Sequence, residues 1–216
     1  YDNCFLVEVY TDVISLFQAI IENVISSSGT SLTTDQIKLI KRYTENVTIL
    51  YDGDAAGIKA SFRGIDMILS EGLNVKVVLF PDGEDPDSYS RKVGITELEE
   101  YLSKNAKDFI QFKTAVLLDE AQGDPLKRAE TIKDIVKSIG IIPDEIIRSV
   151  YIRETSQQFD IAEKTILNEV NKLLGIKYQK EAKEQAKQEE LMPVVLPRKE
   201  SKDGKHSLDE QERDLI

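Results

Sequence analysis

With 216 residues, 41% of them hydrophobic, the chain has enough apolar mass for one domain of ordinary size and a second, smaller one. Its one cysteine, Cys4, and one histidine, His206, exclude a disulfide framework and a Cys/His zinc cluster, so any metal must sit on oxygen ligands. A formal charge of -11 argues against a duplex-binding face of lysines and arginines.

The placement of the charge changes that argument. Glu8, Asp12, Asp52, Asp54, Asp82, Glu84, Asp85 and Asp87 fall in three short segments, and cations gathered among them would neutralise much of the acidity locally. Apolar runs such as Val75 to Phe80 are far too short to cross a bilayer, and no charged-then-apolar leader opens the chain, so it reads as soluble and cytoplasmic. The first residue is Tyr1 rather than Met and a strand-like run begins almost at once, which predicts a piece of a longer protein.

In chain order, residues 4 to 8 form a short apolar strand ending in Glu8, followed by a helical pattern from Asp12 to about Ile20. Asn23 to Ser26 is a second, weaker strand, Ser28-Gly29-Thr30 a turn, and Thr33 or Thr34 the N-cap of a helix to about Tyr43. Asn46 to Tyr51 is rich in β-branched residues, Asp52-Gly53-Asp54 punctuates it, and an amphipathic helix runs to Glu71 with Gly72 as its C′ residue. Val75 to Phe80 makes a fourth strand ending in the turn-forming run Pro81 to Asp87.

Alternating strands and helices predict parallel βαβ crossovers and an α/β sheet covered on both faces. Each acidic segment follows a strand, so all three should gather at the carboxyl edge of one sheet, where open α/β folds place their ligands. After about residue 93 the pattern is helical only, with segments at 96–104, 108–121, 126–139, 144–158 and 161–174, stops at Gly140 and Gly175, and no further strand. From Lys177 onward the chain is too poor in apolar residues for a core and reads as a charged linker, helical at most in its first part.

Asp52-x-Asp54 sets two carboxylates on the same side of an extended segment, which suits one hard cation such as Mg²⁺; a plain Asp-Gly turn is the equally weighted alternative. Glu8 at a strand end can accept a proton or ligate metal, whereas Asp12 taken alone reads first as a helix N-cap. The four acids of Asp82 to Asp87 repel one another without a cation, but an exposed turn with Asp87 capping the next helix fits too, and spacing leaves open which of them face a metal. Gly29 and Thr30 before a helix offer a weak phosphate cradle. Lys38, Lys41, Arg42, Lys59 and Arg63 give basic helix faces, more often a matter of solubility than of nucleic-acid contact.

Taken together, Phe5 to Val13, Ser27 to Thr33, Leu50 to Gly57 and Leu79 to Asp87 resemble, in order, the Toprim subdomain of bacterial DnaG-type DNA primases over roughly residues 1 to 100. Other Toprim proteins share the Glu and Asp-x-Asp pattern; the pairing of Tyr51-Asp-Gly-Asp-Ala-Ala-Gly57 with Pro81-Asp-Gly-Glu-Asp-Pro-Asp87 is what is similar to primase. The resemblance implies a Toprim-type, Rossmann-like parallel sheet over 1–95, a small all-α subdomain over 96–175, and a linker over 176–216 toward a helicase-binding domain outside this sequence. It implies two or more Mg²⁺ or Mn²⁺ ions held by Glu8, Asp12, Asp52, Asp54, Asp85 and Asp87. Glu8, Asp52 and Asp54 are then the catalytic residues, with Asp82 and Glu84 as further candidates; Gly29, Thr30 and Lys59 are weaker candidates for the phosphates of a nucleotide.

The implied activity is that of a DNA-directed RNA polymerase, a nucleotidyltransferase in which a 3′-hydroxyl attacks the α-phosphate of a ribonucleoside triphosphate on single-stranded DNA. The implied partners are template, triphosphates, RNA primer and the replicative helicase of a bacterial replisome, with zinc confined to an N-terminal module not visible here and no membrane. The family usually has Gly where Val9 stands, a departure with two readings: crowding of the metal site, or an engineered substitution. Two other Toprim readings are a nuclease or topoisomerase fragment and a non-catalytic metal- or partner-binding module. A small-molecule phosphatase would need Lys and Thr or Ser motifs that cannot be placed.

Overall fold

The computed structural model describes residues 2–28, 32–52, 55–121 and 123–191. In order the elements are β1 (Cys4–Val7), α1 (Tyr10–Gln18), β2 (Val24–Ser26), α2 (Thr34–Lys41), β3 (Asn46–Tyr51), α3 (Ala55–Ser70), β4 (Asn74–Leu79), α4 (Pro86–Lys92) and α5 (Ile95–Asn105). They continue with β5 (Lys107–Asp108), α6 (Phe109–Ala121), α7 (Pro125–Ile141), α8 (Glu145–Phe159) and α9 (Glu163–Leu191). The sheet order is β2-β1-β3-β4-β5; the first four strands are parallel and β5 runs antiparallel to β4.

The period-two alternation of strands separates two apolar cores. Leu6, Val47, Ile49, Val75 and Val77 face one side, against α2, α3 and the later helices α6 to α9. Val7, Val24, Leu50 and Val78 face the other, against Leu16 of α1 and Leu98 and Leu102 of α5. β3 lies between both layers, with Val47 to Leu50 all buried, as its near-continuous apolar run requires of a central parallel strand.

Local chemistry sets the helix ends. Thr33 caps α2 in a reciprocal box, its hydroxyl taking the Gln36 N–H at 3.3 Å while its own N–H donates to Gln36 Oε1 at 2.9 Å. Gly72 ends the turn after α3 at φ +79°, a conformation that favours glycine. Four expectations from the sequence are corrected. A fifth strand does return, because Lys107 and Asp108 pair with the edge of β4, too short a match to show any periodicity. α7 runs to Ile141 through Gly140, where an added Cβ would meet only ordinary contacts, and α9 runs through Gly175 to Leu191. Asp12 is the third residue of α1, not its cap; Val9 stands at the N-cap. Asp85, not Asp87, caps α4, accepting the Ser88 N–H at 2.6 Å.

The amino edge of the sheet is joined by neutral amides. Asn23 Nδ2 donates to the Asn3 carbonyl at 2.7 Å, Asn46 Nδ2 to the Asp2 carbonyl at 3.0 Å, and Asn74 Nδ2 to Asn46 Oδ1 at 2.9 Å. Asn46 Nδ2 also donates to the Asp2 carboxylate at 3.3 Å, so the strand starts are tied by amides that both donate and accept, with one carboxylate among the acceptors. Under the opposite core, Lys113 of α6 is buried at 3% exposure and bonds Asp66 of α3 at 2.8 Å and Ser138 of α7, with the Phe62 ring 5.0 Å away. This network fixes α6 and α7 against α3, the helix that follows the Asp52 loop.

Two stability outcomes follow. Ile20 holds φ +68° in the turn that ends α1 although it is β-branched, and its side chain is mostly exposed. Ile20→Gly therefore raises unfolding stability by about 1 kcal/mol in urea titration. Asp66→Ala costs about 2–3 kcal/mol, more than Lys113→Met, since the first leaves a buried ammonium without its anion and the second leaves a carboxylate that water still reaches. Equal losses would refute that asymmetry.

Candidate metal site at the carboxyl edge

β1, β3 and β4 end level with one another. Leu6 stands opposite Ile49, and Tyr51 opposite Leu79, so Glu8, two residues past Leu6, lies at the height of Tyr51. The three acidic segments leave the sheet from this one edge. Glu8 is exposed just beyond β1, its backbone carbonyl accepting the Ser27 hydroxyl at 3.3 Å. Asp52 is exposed directly after β3. Asp54 lies outside the described residues, as do Gly29 and Thr30; Lys59 is in α3, but its side chain is likewise outside the description.

α1 carries the polar side of the site inward. Asp12, Ser15 and Leu16, at helical spacing on one face, are buried, while Tyr10, Ile14 and Phe17 on the other are exposed. A helix that hides an aspartate and a serine while showing its apolar face must find polar partners inside. Asp12 Oδ2 accepts the Val9 N–H at 3.3 Å, half of a capping box, since valine has no acceptor to complete it. Ser15 Oγ donates to Asp87 Oδ1, which also meets Arg91 of the same helix at 2.7 Å.

The electrostatics tie the segments together. Burial pushes the Asp12 carboxyl up from 3.8 to about 6, the Val9 N–H opposes this, and the charges of Asp52, Asp85 and Asp87 add to the rise. One buried acid thus senses an acid from each of the other two segments. Glu84 is drawn away: Lys92 bonds it at 2.7 Å and the Ser88 hydroxyl at 2.6 Å, which hold its carboxyl below the ordinary range. Asp82 is exposed on the Pro81–Glu84 turn, where Gly83 takes φ +77°.

The donor set fits a hard divalent cation, with Asp12, Asp52, Asp85 and Asp87 supplying oxygen alone. Among the described residues no three acidic, histidine or cysteine side chains form a ready-made cage. Mg²⁺ and Mn²⁺ take one or two carboxylates and keep water or substrate phosphate for the rest of their coordination. Val9 takes φ -117°, ψ 159° at the head of α1, extended backbone open to any residue, and its side chain is exposed.

Ser15 and Arg91 were not legible as site residues. No motif marks them, and only the packing of α1 on α4 brings Ser15 to Asp87. The basic faces serve partly in structure, Lys41 donating to the Glu71 carbonyl. No helix among the described residues is long and apolar enough to cross a membrane.

A five-stranded, mainly parallel sheet with acids converging on its carboxyl edge defines a Toprim-type domain, and the family described as Toprim-like matches residues 5–90. A DNA primase of Clostridium acetobutylicum is 39% identical over 168 residues, 76% of this chain and 28% of that protein. A DNA primase domain from Pseudomonas aeruginosa superposes with a TM-score of 0.70 at 26% identity, over 79% of this chain and 55% of that one. A DnaG primase catalytic domain bound to single-stranded DNA gives 0.64 at 31% identity, over 73% and 52%. The chain is thus similar to bacterial DnaG-type DNA primases over about three quarters of its length and carries a Toprim-like domain over residues 5–90. It spans 28% of the length of the Clostridium relative.

The buried Asp12 carboxyl makes stability pH-dependent in a predictable sense. With its folded value near 6 above the ordinary 3.8, the folded state holds more proton than the unfolded one between them, so metal-free stability falls as pH rises from about 4 through 6. Asp12→Asn removes that part of the slope, giving a smaller loss of urea midpoint between pH 4 and 7.5 than in the parent. Identical slopes would show that Asp12 does not carry the strain.

Proposed function

We propose that this chain is the metal-binding part of a DNA primase polymerase core, acting in RNA primer synthesis on single-stranded DNA. The observation that supports it most is Asp12, buried and sensing Asp52, Asp85 and Asp87 from two distant segments, in a chain whose relatives are DNA primases. Within this reading residues 1–95 carry the site, 96–175 form the helical subdomain, and 176–216 lead toward a helicase-binding domain. The protein works in the bacterial cytoplasm at the replisome.

Asp52, Asp54, Asp85 and Asp87, with Asp12 beneath them, would hold Mg²⁺ or Mn²⁺. Such an ion supplies polarisation of phosphate oxygens and offsets negative charge developing on a triphosphate. Glu8, exposed at the end of β1, is positioned either to complete the ligand set or to accept the proton of an attacking 3′-hydroxyl. Asp85 and Asp87 are anchored at the start of α4 and Asp12 in α1, so the carboxylates are oriented before substrate arrives. Gly29, Thr30 and Lys59 belong to this reading as groups toward the nucleotide. The ssDNA named with the solved DnaG domain supports a single-stranded template here too, with ribonucleoside triphosphates and the primer as the other substrates.

Asp52→Ala or Asp54→Ala in the intact enzyme reduces primer synthesis at least about a hundredfold with the circular dichroism spectrum unchanged, a direct ligand being worth no less than its outer-shell supports. Retained synthesis in either variant would sink the assignment. The isolated 216-residue chain binds Mn²⁺ yet makes little or no primer on single-stranded DNA, because much of the template surface lies elsewhere in the protein; robust synthesis would contradict this.

A further inference from the structure

Two donors grip Asp87 at the same oxygen: the Ser15 hydroxyl donates to Oδ1, and Arg91 Nη2 meets Oδ1 at 2.7 Å. The two donors differ in environment. Arg91 is exposed, its side chain at 72%, and an ion pair there is screened and weakly orienting. Ser15 is buried on the same face of α1 as Asp12, one helical turn along, and its side chain sees little water. A hydroxyl so placed has a fixed direction and an acceptor of full charge, which makes it the stronger orienting contact.

We propose that Ser15 is a positioning residue for the metal site: it pins one oxygen of Asp87 and thereby presents the other toward the cation, an inference that rests on the metal-site reading above. Ser15 touches neither metal nor substrate and acts through Asp87. The contact also joins α1 to α4, so Asp12 and Asp87 are fixed relative to each other by one bond rather than by their separate loops. A neutral donor suits this role because it adds no positive charge to compete with the cation.

The test is Mn²⁺ binding by the 216-residue chain, read from the paramagnetic resonance of free Mn²⁺, in Ser15→Ala, Ser15→Thr, Asp87→Ala, Asp52→Ala and the Ser15→Ala/Asp87→Ala double variant. Ser15→Ala weakens binding about tenfold, the scale expected for an outer-shell partner. Ser15→Thr, which keeps the hydroxyl, stays within about twofold of the parent, and the double variant binds no worse than Asp87→Ala alone. Ser15→Ala binding like the parent while Asp87→Ala is impaired overturns the role of Ser15 and leaves the metal site standing. Losses that add in the double variant overturn it as well, since they place the effect of Ser15 outside Asp87. Unchanged binding in Asp52→Ala and Asp87→Ala together overturns both the metal site and this inference.

Discussion

The structure turns on the difficulty of holding several carboxylates near one another at a partly buried edge. Carboxylates only accept hydrogen bonds, and each raises the proton affinity of its neighbours. The fold answers part of this demand with its own donors: the Val9 N–H on Asp12, Ser15 and Arg91 on Asp87, the Ser88 N–H on Asp85, and Lys92 on Glu84. Asp12 remains short of compensation, and its raised proton affinity records the deficit. A divalent cation placed among such acids would offset that deficit.

The two edges of the sheet solve opposite problems. At the amino edge Asn23 donates to Asn3, Asn74 to Asn46, and Asn46 to the carbonyl and carboxylate of Asp2, so strand starts are tied to one another directly. At the carboxyl edge the acids outnumber the donors that meet them, and Asp12 keeps a raised proton affinity. The same strands carry both arrangements, one purely structural and one chemical. Rigidity between them comes from β3, buried on both faces, and from the Lys113–Asp66–Ser138 network behind α3.

Among the candidate site residues, those whose place follows from position along a strand were the most legible. Glu8 and Asp52 come directly after apolar runs, so a strand ending there places them at the edge whatever the rest of the fold does. Asp12 was harder. An aspartate near a helix start is ordinarily a cap, and only the burial of α1 against α4 shows that it points inward. Within Asp82 to Asp87 spacing offered no distinction, whereas the structure separates an exposed Asp82, a Glu84 bound to Lys92, a capping Asp85 and an Asp87 gripped by Ser15.

By itself the sequence determined the alternation of strands and helices, the parallel order that follows from it, the absence of a Cys/His metal cluster and the edge on which the acids gather. These depend on local periodicity and on chain direction, which are properties of short segments. Tertiary structure alone decided the antiparallel β5, the continuation of α7 and α9 past their glycines, the inward turn of Asp12 and the bond from Ser15 to Asp87. Each of these needs two segments far apart in the chain to meet, and the energy of such a meeting is written in neither segment separately.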